Sequence, residues 1–208
     1  MNATSETPQP RGYWGDAAVF FRSWMRTPGR TGAVLPSSRY LATAMTTVLT
    51  GIDDPDVAEL GPGTGALTEA IQGRLGDGGS HVAVELNPEF AERLRRRFPN
   101  VDVVNDSATE LVKILAERGR TGVDAVVSGL PFAAFPEQLQ RDVLDAVVLS
   151  LRDSGGPFVT FNYVGAFSMP TARRFRGLLA ERFAQIEISR PVLLNIPPAY
   201  VLTARDPR

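Results

Sequence analysis

The stretch "DVAELGPGTGALTEA", residues 56–70, decides how the rest of the chain is read. Asp56 to Leu60 is short and apolar apart from two acids, as a buried strand is. Three glycines follow, and then a helical pattern begins. Strand, glycine turn and helix in that order open a parallel α/β unit. Gly61, Gly63 and Gly65 let the main chain turn tightly and let a ligand approach it, with a helix N-terminus just beyond. The spacing by itself also fits a dinucleotide site, since Gly61, Gly63 and Ala66 satisfy that pattern. Glu59 separates the two readings. A carboxylate two residues before the first glycine repels a pyrophosphate and attracts a cationic ligand.

Outward from this stretch, short apolar runs alternate with amphipathic ones. Strands are expected at 56–60, 81–85, 101–105, 123–127, 157–161, 184–189 and 199–204, and helices near 64–75, 88–97, 107–118, 136–152 and 170–182. "PSSRYLATAMTTVLTG", 36–51, reads as a further helix before the first strand. The alternation predicts an α/β fold with a mostly parallel sheet covered on both faces. Ligands of such sheets bind at the carboxyl ends of the strands. Only "RPVLLNIPP" separates the last two strands, too short for a crossover helix, so that pair is expected to be antiparallel.

Two more acids stand at predicted strand ends. Glu85 closes the second strand, where a carboxylate can accept from both hydroxyls of a ribose. Asp106, followed by Ser107, comes after the third; it can accept from an adenine amino group or cap the next helix. Acids at three strand tips around a glycine loop suit S-adenosylmethionine, whose α-amino group and sulfonium are cationic. With "ELGPGTG" (59–65), "VELN" (84–87) and "NDS" (105–107), the chain resembles a class I S-adenosylmethionine-dependent methyltransferase across residues 36–204. The resemblance implies a Rossmann-like seven-stranded sheet with a reversed last strand. It also implies cofactor contacts from Glu59, Gly61, Pro62, Gly63, Thr64, Gly65, Glu85, Leu86, Asp106, Ser107 and Ser128, with S-adenosylhomocysteine as the product.

In this superfamily the loop after the fourth strand lines the methyl-acceptor slot. Here it reads "SGLPFAAF", 128–135. The adenine-methylating enzymes carry Asn-Leu-Pro-Tyr at this place; Gly129 replaces the asparagine and Phe132 the tyrosine. The ring is kept and the amide acceptor is lost, which counts against a nucleobase. The whole set is most similar to the bacterial phospholipid N-methyltransferases, relatives of the ribosomal RNA adenine dimethylases. They share segments like "GAVLPSSRYLATAM", "SGLP" and "NIPPAYVLTA". That resemblance implies methylation of phosphatidylethanolamine and its partly methylated forms. Leu130, Pro131, Phe132, Phe135 and Tyr163 are then expected at the substrate, with Gly129, Tyr163 and Tyr40 beside the reacting amine. Aromatic faces favour a growing ammonium charge by about 0.5–2 kcal/mol.

Composition limits the alternatives. The 208 residues include no cysteine and one histidine, His81, so no metal site or catalytic triad is expected. A net charge of −1 and only four residues beyond the last predicted strand make a nucleic-acid partner unexpected. No run approaches the roughly 20 apolar residues of a membrane span, and no secretory signal is legible, so a cytoplasmic monomer is expected. Residues 1–14 read as a mobile segment and 15–35 as an amphipathic helix with its linker, leaving 36–208 as the methyltransferase domain. On that helix Phe20, Phe21 and Trp24 oppose Arg22 and Arg26, and residues 1–40 hold five arginines against two acids. The helix suits an anionic membrane surface, such as the inner face of the cell membrane, or a lid over the cofactor. A small-molecule acceptor under such a lid stays open, as do an enzyme like the rRNA adenine N6-methyltransferases and a non-catalytic binding role.

Overall fold

The computed structural model describes residues 37–208. Helix α1 (Arg39–Thr46) starts where the Ser38 side chain accepts from the Leu41 amide, and it buries Leu41, Ala42 and Met45. It is shorter than its sequence pattern, because the chain tightens into a 3-10 turn at Thr47–Leu49 and breaks at Gly51, whose φ is +89°.

Seven strands form one sheet: β1 (Asp56–Leu60), β2 (Ser80–Val84), β3 (Asp102–Val104), β4 (Ala125–Ser128), β5 (Phe158–Tyr163), β6 (Phe183–Ile188) and β7 (Ala199–Pro207). Their order is β3-β2-β1-β4-β5-β7-β6. The first five pair in parallel, while β7 runs antiparallel to both β5 and β6. The order reverses between β1 and β4, so their carboxyl ends flank the crevice where such sheets take ligands. Strand β5 continues to Tyr163, which makes that tyrosine its last residue rather than part of the following loop.

Helices α2 (Ala66–Gln72), α3 (Pro88–Arg97), α4 (Leu111–Ala116), α5 (Glu137–Leu151) and α6 (Pro170–Arg182) connect the strands. On one face of the sheet, Leu41, Met45, Leu67 and Ile71 pack with Val57, Val127, Val159 and Phe161. Elsewhere in the core lies a run of buried aromatics. Phe132 stacks on Phe175 at 4.3 Å and meets Phe158 edge-on at 6.0 Å, and Phe158 stacks on Phe183. Rings in contact at such distances add about 0.5–1.5 kcal/mol per pair beyond the area they bury. Helix α3 begins with Asn87 capping the Glu89 amide and ends in arginines that suit its negative C-terminal dipole. Those arginines are occupied within the protein: Arg96 by Glu92, Arg97 by Glu69 and the Thr64 carbonyl, and Arg95 by the Val103 carbonyl.

Candidate methyl-donor and acceptor site

The glycine loop is held by its neighbours. The Gly61 amide donates to the Val84 carbonyl and the Gly129 amide to the Leu60 carbonyl, so the tips of β1, β2 and β4 are fastened together. Gly61, Gly63 and Gly65 all have positive φ. At Gly65 a Cβ would also strike the Phe98 ring at 2.7 Å, so that glycine is demanded both by conformation and by packing. A Cβ at Gly63 would meet nothing within 4 Å: that turn borders open space. Thr64 lies beside it, and a shallow cleft lined by Gly63, Thr64, Phe90, Arg93, Leu94 and Arg97 borders it. Pro62 accepts from the Gly65 amide through its carbonyl and closes the turn.

Glu59 is fully buried on the α2 face of β1. Its Oε2 accepts from the Thr68 hydroxyl at 2.8 Å and lies 3.1 Å from His81 Nε2. That imidazole is close without being aligned for a hydrogen bond, and Glu59 Oε1 has no partner among the described residues. His81 Nδ1 lies 3.2 Å from the Gln72 amide nitrogen. A buried carboxylate oxygen without a donor is costly, and it suits a cationic or N–H group of a ligand. The sequence pointed to Glu59; it gave no sign of Thr68 or His81, because α2 and β2 bring those side chains in only through tertiary packing.

Glu85 follows β2 directly and is almost wholly buried. Its two oxygens accept from the Gly63 amide at 3.0 Å and the Asn87 amide at 2.8 Å. Burial pushes its carboxyl above the ordinary range; those backbone amides pull the other way, and nearby Glu59 adds to the rise. Each oxygen keeps a lone pair for a ribose hydroxyl. The backbone beyond it is fixed by Asn105, whose side-chain nitrogen donates to the carbonyls of Glu85 and Leu86. That role of Asn105 is not legible in "VVNDS". Capping falls to Ser107, which accepts from the Thr109 amide, whereas Asp106, among the described residues, engages only the Ser107 amide, through one oxygen. Glu85 touches the glycine loop through the Gly63 amide, and Glu59 and Asp106 follow or end the neighbouring strands. Three carboxylates at the carboxyl ends of β1, β2 and β3 are a set that fits S-adenosylmethionine. Among the described residues no cluster of His, Cys, Asp and Glu could hold a metal ion.

The acceptor loop departs from expectation. Ser128 is buried and its hydroxyl accepts from the Leu130 amide, which pins the turn. Leu130 lies against Gly61, where a Cβ would meet Leu130 Cδ2 at 2.5 Å. Gly129 is needed for the same close approach: its Cβ would sit 2.6 Å from the Gly61 carbonyl oxygen. Pro131 leads into a 3-10 turn, and its carbonyl accepts from Ala134. Phe132 is only 1% exposed, with its carbonyl bonded to Gln140 and its ring sandwiched among Phe135, Phe158 and Phe175. Phe132 and Phe135, expected as walls of the slot, are both buried. Their rings pack on each other and Phe132 stacks on Phe175 of α6.

The two tyrosines do not join them. Tyr163 packs edge-on against Phe161 at 5.1 Å, and burial raises its phenol, so it stays protonated. Tyr40 is exposed on α1 and its hydroxyl accepts from Arg39. Next to Tyr163, Asn162 is 4% exposed and its side-chain oxygen lacks a partner among the described residues. Sequence reading passed over Asn162, whose only signal was an amide beside a strand end. Phe20, Phe21, Arg22, Trp24 and Arg26 lie outside the described residues, and no described helix is long and apolar enough to cross a membrane.

Comparison with known proteins agrees with this geometry. A methyltransferase domain family matches residues 57–155. The ornithine lipid N-methyltransferase of Singulisphaera acidiphila is 33% identical over 187 residues, covering 88% of this chain and 93% of that protein. Among solved structures, Aeropyrum pernix fibrillarin, crystallised with natively bound S-adenosyl-L-methionine, has a TM-score of 0.59 at 21% identity, over 80% of this chain and 75% of that one. An S-adenosylmethionine-dependent O-methyltransferase of Thermotoga maritima has a TM-score of 0.59 at 17% identity, over 89% and 71%. The two structural likenesses speak to the fold.

Proposed function

Because the chain belongs to the class I S-adenosylmethionine-dependent methyltransferases, in the group related to lipid N-methyltransferases, we propose that it methylates the amine of a lipid headgroup. Phosphatidylethanolamine with its methylated forms is one acceptor of that chemistry, and the ornithine lipid of the Singulisphaera relative is the other. One observation carries the reading from the site itself. The segments at the carboxyl ends of β4 and β5, residues 128–135 and 160–172, contain no Asp, Glu, Lys, Arg or His. An alkylammonium entering such a place loses water and gains no counter-ion, so its neutral, nucleophilic form is favoured. Nucleic-acid phosphates would find no basic side chain in either segment.

S-adenosylmethionine supplies, when bound, an electrophilic methyl group on a sulfonium. The chain's part is to hold, orient and dry the reactants. Glu59 takes the cationic amino end with its unpartnered oxygen, the 61–65 backbone supports the middle, and Glu85 with Asp106 takes the nucleoside. Leu130 and Pro131 exclude water over the glycine loop. Asn162 supplies the side-chain carbonyl that Gly129 does not have, accepting an N–H of the amine. Tyr163, kept protonated, serves as a donor and not as a base, so the proton released by the amine passes to water. The run 16–27, with Phe20, Phe21 and Trp24 opposed to Arg22 and Arg26, fits an anchor on anionic lipid.

The test offers the purified protein methyl-labelled S-adenosylmethionine with dispersed phosphatidylethanolamine, ornithine lipid, ribosomal RNA or a water-soluble ethanolamine. Label is expected in one of the two lipids. Transfer only to RNA, or only to the soluble amine, would remove the lipid reading.

A further inference from the structure

The connection between β6 and β7, residues 189–198, carries the most exposed large apolar side chains among the described residues: Leu193 at 71%, Ile196 at 71% and Leu194 at 64%. Isolated surface leucines are ordinary; three within four residues are not. The loop is also tied down. Asn195, itself buried, accepts from the Ser38 amide at 2.9 Å and donates to the Pro197 carbonyl. The Val192 amide donates to Ala199, and Ser189 and Val201 exchange two hydrogen bonds. The protein thus spends a buried amide on holding this loop with its leucines in water.

The loop's position gives it a direction. Ala199 pairs with Tyr163 across β7 and β5, and the Val164 amide donates to the Pro198 carbonyl. The apolar tip therefore adjoins the carboxyl end of β5, the edge of the sheet that bears the acceptor loops. Val164 and Met169, also exposed, extend the patch along the adjoining turn.

Charge identifies the occupant. Residues 37–40, 163–173 and 189–199, which these contacts bring together, contain no Asp or Glu. They do contain arginines, and Arg39, Arg173 and Arg190 are exposed, with no ion-pair partner among the described residues. An apolar tip collared by unpaired arginines matches the boundary between anionic headgroups and acyl chains. We propose that the 189–198 loop is a membrane-docking finger. Leu193, Leu194 and Ile196 enter the bilayer interface and Arg39 and Arg190 meet lipid phosphates, which turns the acceptor edge toward the membrane. This inference rests on the proposed lipid acceptor for its purpose, yet it is tested without any methyl transfer.

The experiment measures binding to vesicles of phosphatidylglycerol and phosphatidylcholine, neither of which has a free amine. The full-length double variant Leu193→Ser/Ile196→Ser is compared with the unaltered chain. Vesicle affinity is expected to fall by roughly tenfold or more for each side chain withdrawn from the interface. Thermal stability and S-adenosylhomocysteine affinity should stay unchanged, since both side chains are exposed and outside the cofactor site. Leu193→Trp, made in a chain whose Trp14 and Trp24 are replaced by Phe, supplies a second readout, a blue-shifted emission that appears on adding vesicles. Equal vesicle affinity for the double variant, or an emission from the introduced indole that vesicles do not move, overturns the proposal. So does a dimer in sedimentation that the double variant dissolves, which would make a second copy the occupant. Loss of vesicle binding in the variant, combined with methylation of RNA alone, would uphold the docking finger while removing the lipid acceptor.

Discussion

Gly129 offers a sharp test of how the site is assembled. In Gly129→Ala the new Cβ would stand 2.6 Å from the Gly61 carbonyl oxygen and 3.2 Å from Leu67 Cδ1. Ordinary contact begins at 3.4 Å, so the tips of β1 and β4 must part by about 0.8 Å. Neither side can yield cheaply. Gly129 is hydrogen-bonded to Leu60, Gly61 to Val84, and Leu130 already fills the space over Gly61. Overpacking of this kind costs about 1–3 kcal/mol. For a domain of this size that lowers the melting temperature by about 2–4 °C per kcal/mol. Because the strain falls on the backbone that supports the cofactor, S-adenosylhomocysteine affinity should drop as well, by about two- to tenfold if half of the strain is felt there. Calorimetric melting and titration read the two effects separately. The same clash predicts that Gly129→Asn damages the protein instead of creating an adenine methylase. An alanine variant with unaltered melting and unaltered affinity would refute the close approach and the role assigned to glycine.

Other expectations are simpler to state. Glu59→Gln should weaken S-adenosylhomocysteine binding by about 1.5–3 kcal/mol in titration calorimetry, as befits a hydrogen bond to a charged group; unchanged affinity would detach Glu59 from the ligand. Burial raises the Glu85 carboxyl above its usual 4.5, so ionising it costs folding stability between that value and the raised one. Ribose donors favour the carboxylate, so cofactor binding should release a proton and strengthen as pH rises through that window, which calorimetry in buffers of different ionisation enthalpy detects. Phe132→Ala should lower stability by about 3–5 kcal/mol in denaturant melts, the range for emptying a buried aromatic site, and the folded fraction should still bind S-adenosylhomocysteine. Asn162→Ala should lower kcat more than it raises the dissociation constant for the cofactor, a split that a purely structural asparagine would not give.

The sequence by itself determined the parts whose signals are local. Strand, glycine turn and helix at 56–72, an acid at each of three strand tips, and a connection after β6 too short for a crossover were enough for the fold, the methyl donor and the reversed last strand. Tertiary structure decided everything that depends on which face a side chain takes. Phe132 reads as an acceptor wall beside a proline turn, yet the ring that α6 presents at Phe175 draws it into the core. Gly129 reads as a missing asparagine, and the separation of β1 from β4 makes it a steric necessity. Thr68, His81 and Asn105 come from separate elements and meet the site's carboxylate or backbone only when the sheet is assembled. Leu193, Leu194 and Ile196 look in sequence like any apolar run before a strand. Only the anchoring of Asn195 to the start of α1 turns them outward. Periodicity and turn chemistry are written into neighbours along the chain, whereas burial is a property of neighbours in space.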